Sequence, residues 1–369
     1  MVNGLALVTP GIEEIAAKEI EELISAKCSI KNGAVIFKAK KIEDLALLAY
    51  RAQSVNRVLY LIGKFDADYE LDKTIKNCNK LFEKFKPEKW VNIKASFKVV
   101  CERSGNHSYG SSEISSKIGE FVWEKYGLKV DLDNPLLIIY VGIIDTKGYL
   151  GIDISVLELD KRQYKVFGTP HAIKATIAYS AIRLLENDDN ISILDPFCGP
   201  GVIPIEAALF FNKISPRKYQ LDLFAFNKLK PFKNLKNLDF IKKIKANSKI
   251  YAYDSEMPFV SAAKKNSKIA GVNKFIKFGR LDMEWLDTKF KKESMDAIVT
   301  VLPHKNVDKL SNELFYQAEF VLNKGGSVVV IVNDIDKLKS PAEKYNFKLV
   351  KKLHIPRKQD FVDIGLFRK

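Results

Sequence analysis

The chain has 369 residues, 47% of them hydrophobic and 28% charged, with a formal net charge of +15. That length fits two or three domains of about 150 residues each, and the hydrophobic share excludes a disordered chain. The positive balance favours a polyanionic partner, RNA or DNA, unless the surface is simply lysine-rich throughout.

The four cysteines, Cys28, Cys78, Cys101 and Cys198, lie far apart and form no Cys-x-x-Cys pair. Neither a structural zinc site nor a disulfide framework is expected, so no metal is assigned. No signal-peptide pattern opens the chain, and no apolar run is long enough to span a bilayer. The expectation is a soluble cytoplasmic protein with no membrane partner.

Residues 1–65 alternate strand and helix signals. Leu5-Ala-Leu-Val8 is a short apolar run ended by Thr9-Pro-Gly11. Ile12, Ile15, Ala16, Ile20 and Leu23 then recur at helical spacing, with Glu13 and Glu14 suited to the first turn. Ala34-Val-Ile-Phe37 reads as a strand after the turn at Lys31-Asn-Gly33, followed by a helix over 42–51 and a strand over 57–62.

Residues 66–165 form a second α+β unit. A helix over 71–85 precedes a strand over 96–101, a polar turn over 103–108 and a helix over 111–126. Strands over 136–144 and 148–154 follow.

From 166 to 369 strands and helices alternate, with strands expected at 192–194, 249–253, 274–278, 297–300, 326–333, 347–354 and 360–367. Such alternation predicts an open, mostly parallel α/β sheet of Rossmann type. The last two strands read as an antiparallel hairpin at one edge. An insertion over 211–249 carries eleven Lys or Arg against two Asp, with Tyr219, Phe224, Phe226 and Phe232 interleaved. These aromatics either stack on single-stranded nucleic acid or pack onto the core.

The most informative stretch is Leu194-Asp-Pro-Phe-Cys-Gly-Pro-Gly-Val-Ile-Pro-Ile-Glu206. It reads as a strand end, a glycine-rich turn and a helix, the unit that holds a nucleotide-like ligand at a helix N-terminus. Gly199 and Gly201 permit close backbone approach because they lack a Cβ. Asp195 stands at the strand's carboxyl end. Asp254 ends the strand Tyr251-Ala-Tyr253, where an acid accepts from ribose hydroxyls, and Ser255 or Glu256 is placed to share that role. Each acid also has an ordinary reading as a turn residue, but several at successive strand ends beside a glycine turn favour a cofactor site.

Asp-Pro-Phe-Cys-Gly-x-Gly resembles motif I of AdoMet-dependent methyltransferases acting on guanine in RNA. Pro10-Gly-Ile-Glu-Glu14, Arg103-Ser-Gly-x-His107 and Tyr149-Leu-Gly-Ile-Asp153 resemble a ferredoxin-like domain followed by a THUMP RNA-binding domain. Lys161-Arg-x-Tyr164 and Phe167-Gly-x-Pro170 resemble the junction into the methyltransferase domain. The resemblance covers nearly the whole chain and is to THUMP-containing tRNA guanine-N2 methyltransferases. It implies three domains: ferredoxin-like over 1–65, THUMP over 66–165, and a Rossmann-type methyltransferase over 166–369.

The resemblance also implies S-adenosyl-L-methionine (AdoMet) as cofactor and tRNA or another structured RNA as partner. Any protein partner is left open. Asp195, Phe197, Gly199, Gly201, Asp254, Ser255 and Asp282 are the implied cofactor residues, with Asp282 receiving the adenine amino group. Arg103, His107, Lys161 and Arg162 are the implied RNA contacts.

The catalytic motif departs from the family pattern, an Asn-Leu-Pro-Tyr or Asn-Pro-Pro-Tyr whose Asn accepts from the target amine. Here the chain reads Val301-Leu-Pro-His304, followed by Lys305 in place of the usual Gly. Val301 cannot accept a hydrogen bond. That leaves Thr300, Pro303 and His304 to position the base. Motif I drifts more mildly, with Pro200 and Val202 where small hydroxyl residues are common. The alternative is a catalytically degenerate paralogue that binds RNA without transferring a methyl group.

Overall fold

The computed structural model describes every residue except 93, 170–171, 187–189, 236–237, 239–246, 304 and 357–359. The chain divides into two compact units. The first gathers Met1–Val8, Ala16–Leu159 and Lys218–Phe240; the second gathers Thr9–Ile15, Asp160–Arg217 and Ile241–Lys369.

The N-terminal elements are β1 (Val2–Val8), α1 (Glu13–Ile24), β2 (Cys28–Lys31), β3 (Ala34–Ala39), α2 (Glu43–Arg51) and β4 (Val55–Asp66). They continue with α3 (Leu71–Asn79), β5 (Ser96–Ser104), α4 (Ser111–Tyr126), β6 (Lys129–Val130), β7 (Leu137–Ile144) and β8 (Lys147–Asp153). The eight strands form one sheet in the order β2-β3-β1-β4-β8-β7-β5-β6. β4 pairs antiparallel with β1 on one side and with β8 on the other. The segments expected as ferredoxin-like and THUMP domains therefore share a continuous sheet. β7 is an unbroken apolar run, buried at every position but its last. That pattern belongs to a strand covered on both faces.

Two local details differ from the sequence expectation. The helix over 71–85 ends at Asn79 and continues as a 3-10 turn over Lys80–Lys84. The Tyr126 hydroxyl donates to the carbonyls of Phe82, in that turn, and Phe85, just beyond it. Arg103 and Ser104 extend β5 rather than starting a turn, because they pair with Ile143 and Ile144.

The insertion's aromatics resolve toward packing. Phe224 and Phe226 are fully buried in the first unit's core and stack with ring centroids 4.8 Å apart. Phe232 is buried with them, while Tyr219 remains exposed. Backbone bonds from Phe226 N to Ile154 O and from Lys230 N to Trp90 O anchor the segment. These rings are core residues and are not available to stack on a base.

The second unit holds α5 (Ala175–Arg183), β9 (Ser192–Asp195), α6 (Val202–Phe211), β10 (Lys249–Asp254), α7 (Met257–Ile269), β11 (Ile276–Arg280) and α8 (Leu286–Lys289). It ends with β12 (Met295–Val301), α9 (Val307–Val321), β13 (Leu322–Val332), α10 (Lys339–Lys344), β14 (Lys348–Pro356) and β15 (Phe361–Arg368). The sheet order is β11-β10-β9-β12-β13-β15-β14. β9 to β13 are parallel, and β15 runs antiparallel to both of its neighbours. This is a Rossmann-type sheet closed by an antiparallel hairpin. Strand order reverses between β9 and β12, and open α/β sheets bind ligands at the carboxyl ends of strands at such a point.

Among the described residues no helix is long and apolar enough to cross a membrane, and no cluster of His, Cys, Asp and Glu is suited to hold a metal.

Candidate active site

The turn after β9 is built on two glycines in the left-handed region, Gly199 at φ 48° and Gly201 at φ 87°. They do different work. A Cβ on Gly199 would meet nothing within 4 Å, so its backbone borders open space. A Cβ on Gly201 would stand 2.9 Å from the Ala263 Cβ, so Gly201 lets α6 approach α7. Gly199 N donates to Asp254 Oδ2 at 2.9 Å, and Cys198 N donates to Tyr253 O at 2.9 Å. The turn is thereby fastened to the end of β10.

A residue outside the motif also holds it. Asn266, buried on α7, donates from Nδ2 to Pro200 O at 2.9 Å and to Phe167 O at 2.8 Å. Nothing in the sequence marked Asn266, since a single amide in a helix carries no signature.

A cleft of ≈ 380 Å³ opens at the carboxyl ends of β9, β10 and β12. Asp195, Phe197, Gly199, Asp254 and Ser255 line it, as does Pro303. Ile173, Val202 and Phe259 give it apolar walls, and Val301 and Leu302 complete the β12 side.

Asp195 is 2% exposed, and its Oδ1 accepts from Thr300 Oγ1 at 2.7 Å and from Phe197 N at 3.2 Å. Burial pushes its carboxyl up to about 7; the two hydrogen bonds oppose that rise and the charge of Asp254 adds to it. The Asp254 carboxyl is also raised, chiefly by burial, against bonds donated by Glu256 N and Gly199 N. Each Asp254 oxygen accepts one backbone N–H and keeps a further lone pair.

Other expected residues lie elsewhere. Asp282 follows β11, is exposed, and accepts from Glu284 N at 3.2 Å as the cap of a short turn. It is not among the residues lining the cleft. His304 lies outside the described residues. Thr300 is fully buried and commits its hydroxyl to Asp195, so it positions that acid and does not face a substrate.

Arg162 is not a surface RNA contact. Its side chain is 1% exposed and clamps Glu206, Nε to Oε1 at 3.0 Å and Nη2 to Oε2 at 3.1 Å. The Tyr164 hydroxyl donates to the same carboxylate at 2.8 Å. Lys161 beside it is exposed. In the first unit, Arg103 Nη1 donates to His107 Nδ1 at 3.3 Å, which leaves His107 Nε2–H to donate to Asp145 O at 2.8 Å. The Cys198 thiol is held well above its ordinary range by burial, so it is no nucleophile.

The donor set fits AdoMet. Gly199 opens the backbone, Asp254 keeps carboxylate lone pairs of the kind that ribose hydroxyls would donate to, and the apolar walls would suit a purine ring.

Comparison with known proteins identifies the family. The RMKL-like methyltransferase domain matches residues 162–361, and the THUMP domain matches residues 72–153. The chain belongs to this family of AdoMet-dependent methyltransferases and carries a THUMP domain ahead of the catalytic one. It is similar to the tRNA (guanine(6)-N2)-methyltransferase of Methanocaldococcus jannaschii, at 30% identity over 94% of this chain and 95% of that one. The tRNA (guanine(6)-N2)-methyltransferase of Archaeoglobus fulgidus is 27% identical over 90% of this chain and 83% of that one. The crystal structure of TrmN from Thermus thermophilus shares the fold, with a TM-score of 0.75, 20% identity and full coverage of both chains.

Proposed function

We propose that the chain methylates N2 of a guanine in tRNA, with its THUMP-bearing unit gripping the RNA. A cytoplasmic setting goes with that substrate. The observation that carries the reading is a single cleft where the Gly199 turn, the Asp254 carboxylate and the Val301-Leu302-Pro303 wall meet. AdoMet, when bound, supplies an electrophilic methyl group.

The chain's own residues do the rest. Asp254 and the Gly199 backbone hold the nucleoside part, with Ser255 beside them. Asp195, fixed by Thr300, faces the cationic end. Pro303 borders the place where the base enters, with His304 next to it in sequence. Binding both partners in one cleft turns a collision into an oriented encounter. Exposed Lys161, half-buried Arg103 and His107, and a net charge of +15 supply contacts for phosphates.

The test is transfer of labelled methyl from AdoMet to tRNA lacking the modification, followed by identification of the nucleoside. Label in N2-methylguanosine is expected; an unlabelled tRNA refutes the reading. Val301 favours one other reading, an RNA-binding paralogue without turnover. Robust labelling by the unaltered chain removes it.

A further inference from the structure

Two exposed apolar side chains stand where the chain enters the catalytic unit. Val166 is 63% exposed and Phe167 is 40% exposed. Looseness of the chain does not explain them, because the Phe167 backbone is bonded at both its N–H and its carbonyl. The N–H donates to Asn266 Oδ1 at 3.0 Å, and the carbonyl accepts from Asn266 Nδ2 at 2.8 Å. Asn266 is buried and also holds Pro200 O, on the wall of the cofactor cleft. Two residues beyond Phe167, Thr169 lines the same cleft. An aromatic ring is thus presented to solvent on a backbone fixed to the cleft wall, and an apolar patch so held marks a contact surface.

Its surroundings carry positive charge and no acid. Residues 161–174 and α7 contain neither Asp nor Glu. On α7, Lys264, Lys265 and Lys268 are exposed and neighbour one another at helical spacings of three and four. Lys265 Nζ lies 4.8 Å from the centroid of the Phe167 ring, and Lys161 is exposed at the start of the segment. An apolar protein partner would leave these lysines without counter-charge. A nucleic-acid strand supplies phosphates for the lysines and a flat face for the ring. A guanine that enters a cleft must leave its stack, and that unstacking bares the faces of its neighbours.

We propose that Phe167 stacks on an unpaired base of the tRNA that carries the target guanine, while Lys264, Lys265 and Lys268 neutralise the phosphates beside it. The proposal rests on the tRNA reading above and adds a strand-binding face on the catalytic unit itself. Asn266 then serves both ligands through one amide: it fixes the glycine turn at Pro200 and the backbone that carries the ring.

The experiment uses the full chain and unmodified tRNA, with binding followed across a salt series. Phe167→Ala is expected to weaken tRNA binding at least about fivefold and to leave the salt slope unchanged, because a ring carries no charge. Phe167→Tyr keeps the parent's affinity and Phe167→Leu does not, a distinction that a merely structural role would not make. Lys264→Gln, Lys265→Gln and Lys268→Gln combined lower the slope of log affinity against log salt by about two. AdoMet affinity by calorimetry and the melting temperature stay at the parent's values throughout. Phe167→Ala binding tRNA as the parent does overturns the proposal while leaving the methyl-transfer reading intact. So does Phe167→Leu binding as well as Phe167→Tyr, or a triple lysine variant with the parent's salt slope. Weakened tRNA binding that comes with a lower melting temperature also overturns it. Self-association of the parent that Phe167→Ala abolishes, with tRNA affinity kept, assigns the face to a second copy and overturns it too. A parent chain that neither binds nor labels tRNA defeats the tRNA reading and the proposal with it.

Discussion

Thr300 Oγ1 donates to Asp195 Oδ1 at 2.7 Å, tying the end of β12 to the end of β9. The two residues are 105 positions apart in sequence, and both are buried. The bond spans the point where strand order reverses. It sets the angle at which the acid meets the cleft. Thr300→Val keeps the shape and removes the donor, leaving a buried carboxyl short of a partner. Chemical denaturation is expected to read a loss of about 1–3 kcal/mol. AdoMet affinity should fall with it.

Cofactor binding should depend on pH through Asp195. Burial holds its carboxyl up at about 7 in the free protein. Below that value the group is neutral, and above it the group is charged. A cationic ligand prefers the charged form, so AdoMet affinity should rise between about pH 6 and pH 8 and then level off. S-adenosylhomocysteine, whose sulfur is uncharged, should show a shallower rise. Calorimetry on both ligands across that range checks it, and equal slopes would remove Asp195 from the sulfonium's surroundings.

The same shift affects stability with a definite sign. The unfolded carboxyl titrates near 3.9, so between that value and about 7 the folded state binds more protons than the unfolded state. Stability from this group is full at the acid end and is lost as pH rises through 7. Asp195→Asn should flatten that part of the stability profile in the ligand-free protein.

Asp254→Ala removes both lone pairs offered to the ribose and the acceptor for Gly199 N. A hydrogen bond to a charged group is worth about 1.5–3 kcal/mol, so AdoMet affinity should drop at least about tenfold. The matching change Asp282→Ala should cost much less, because Asp282 is exposed and outside the cleft lining. Comparable losses would place Asp282 on the adenine after all.

Arg162→Ala should damage folding. Removing one partner of a buried ion pair strands Glu206, at a cost of about 3–5 kcal/mol. Unfolding midpoints would show it. Lys161→Ala, at an exposed site, should leave stability unchanged and weaken RNA binding with a smaller salt dependence.

Much of the catalytic unit was legible because its signals are local. The glycine turn, the acids at strand ends and the apolar strand runs all depend on neighbours a few residues away. The helix expected over 111–126 is observed at Ser111–Tyr126, where apolar spacing and flanking glycines agree. Features that depend on distant partners were not legible. The burial of Arg162, an RNA contact by resemblance, is not legible because its partner Glu206 stands 44 residues later. The tie between Thr300 and Asp195 is not legible because the two stand 105 positions apart. β2 was missed because it is a short edge strand, exposed or half-buried throughout, with no buried face to impose a pattern.

The placement of Lys218–Phe240 with the first unit constrains how the protein can be made. This segment follows α6, deep inside the catalytic sequence, yet it supplies Phe224 and Phe226 to a core whose strands end at Asp153. A ribosome that has just finished β8 has therefore not yet delivered the rings that complete that core. Until β9 and α6 have emerged, that core lacks Phe224 and Phe226. A fragment cut at Leu159 would keep every strand of its sheet and still lack part of its interior, so neither half can be excised with one cut.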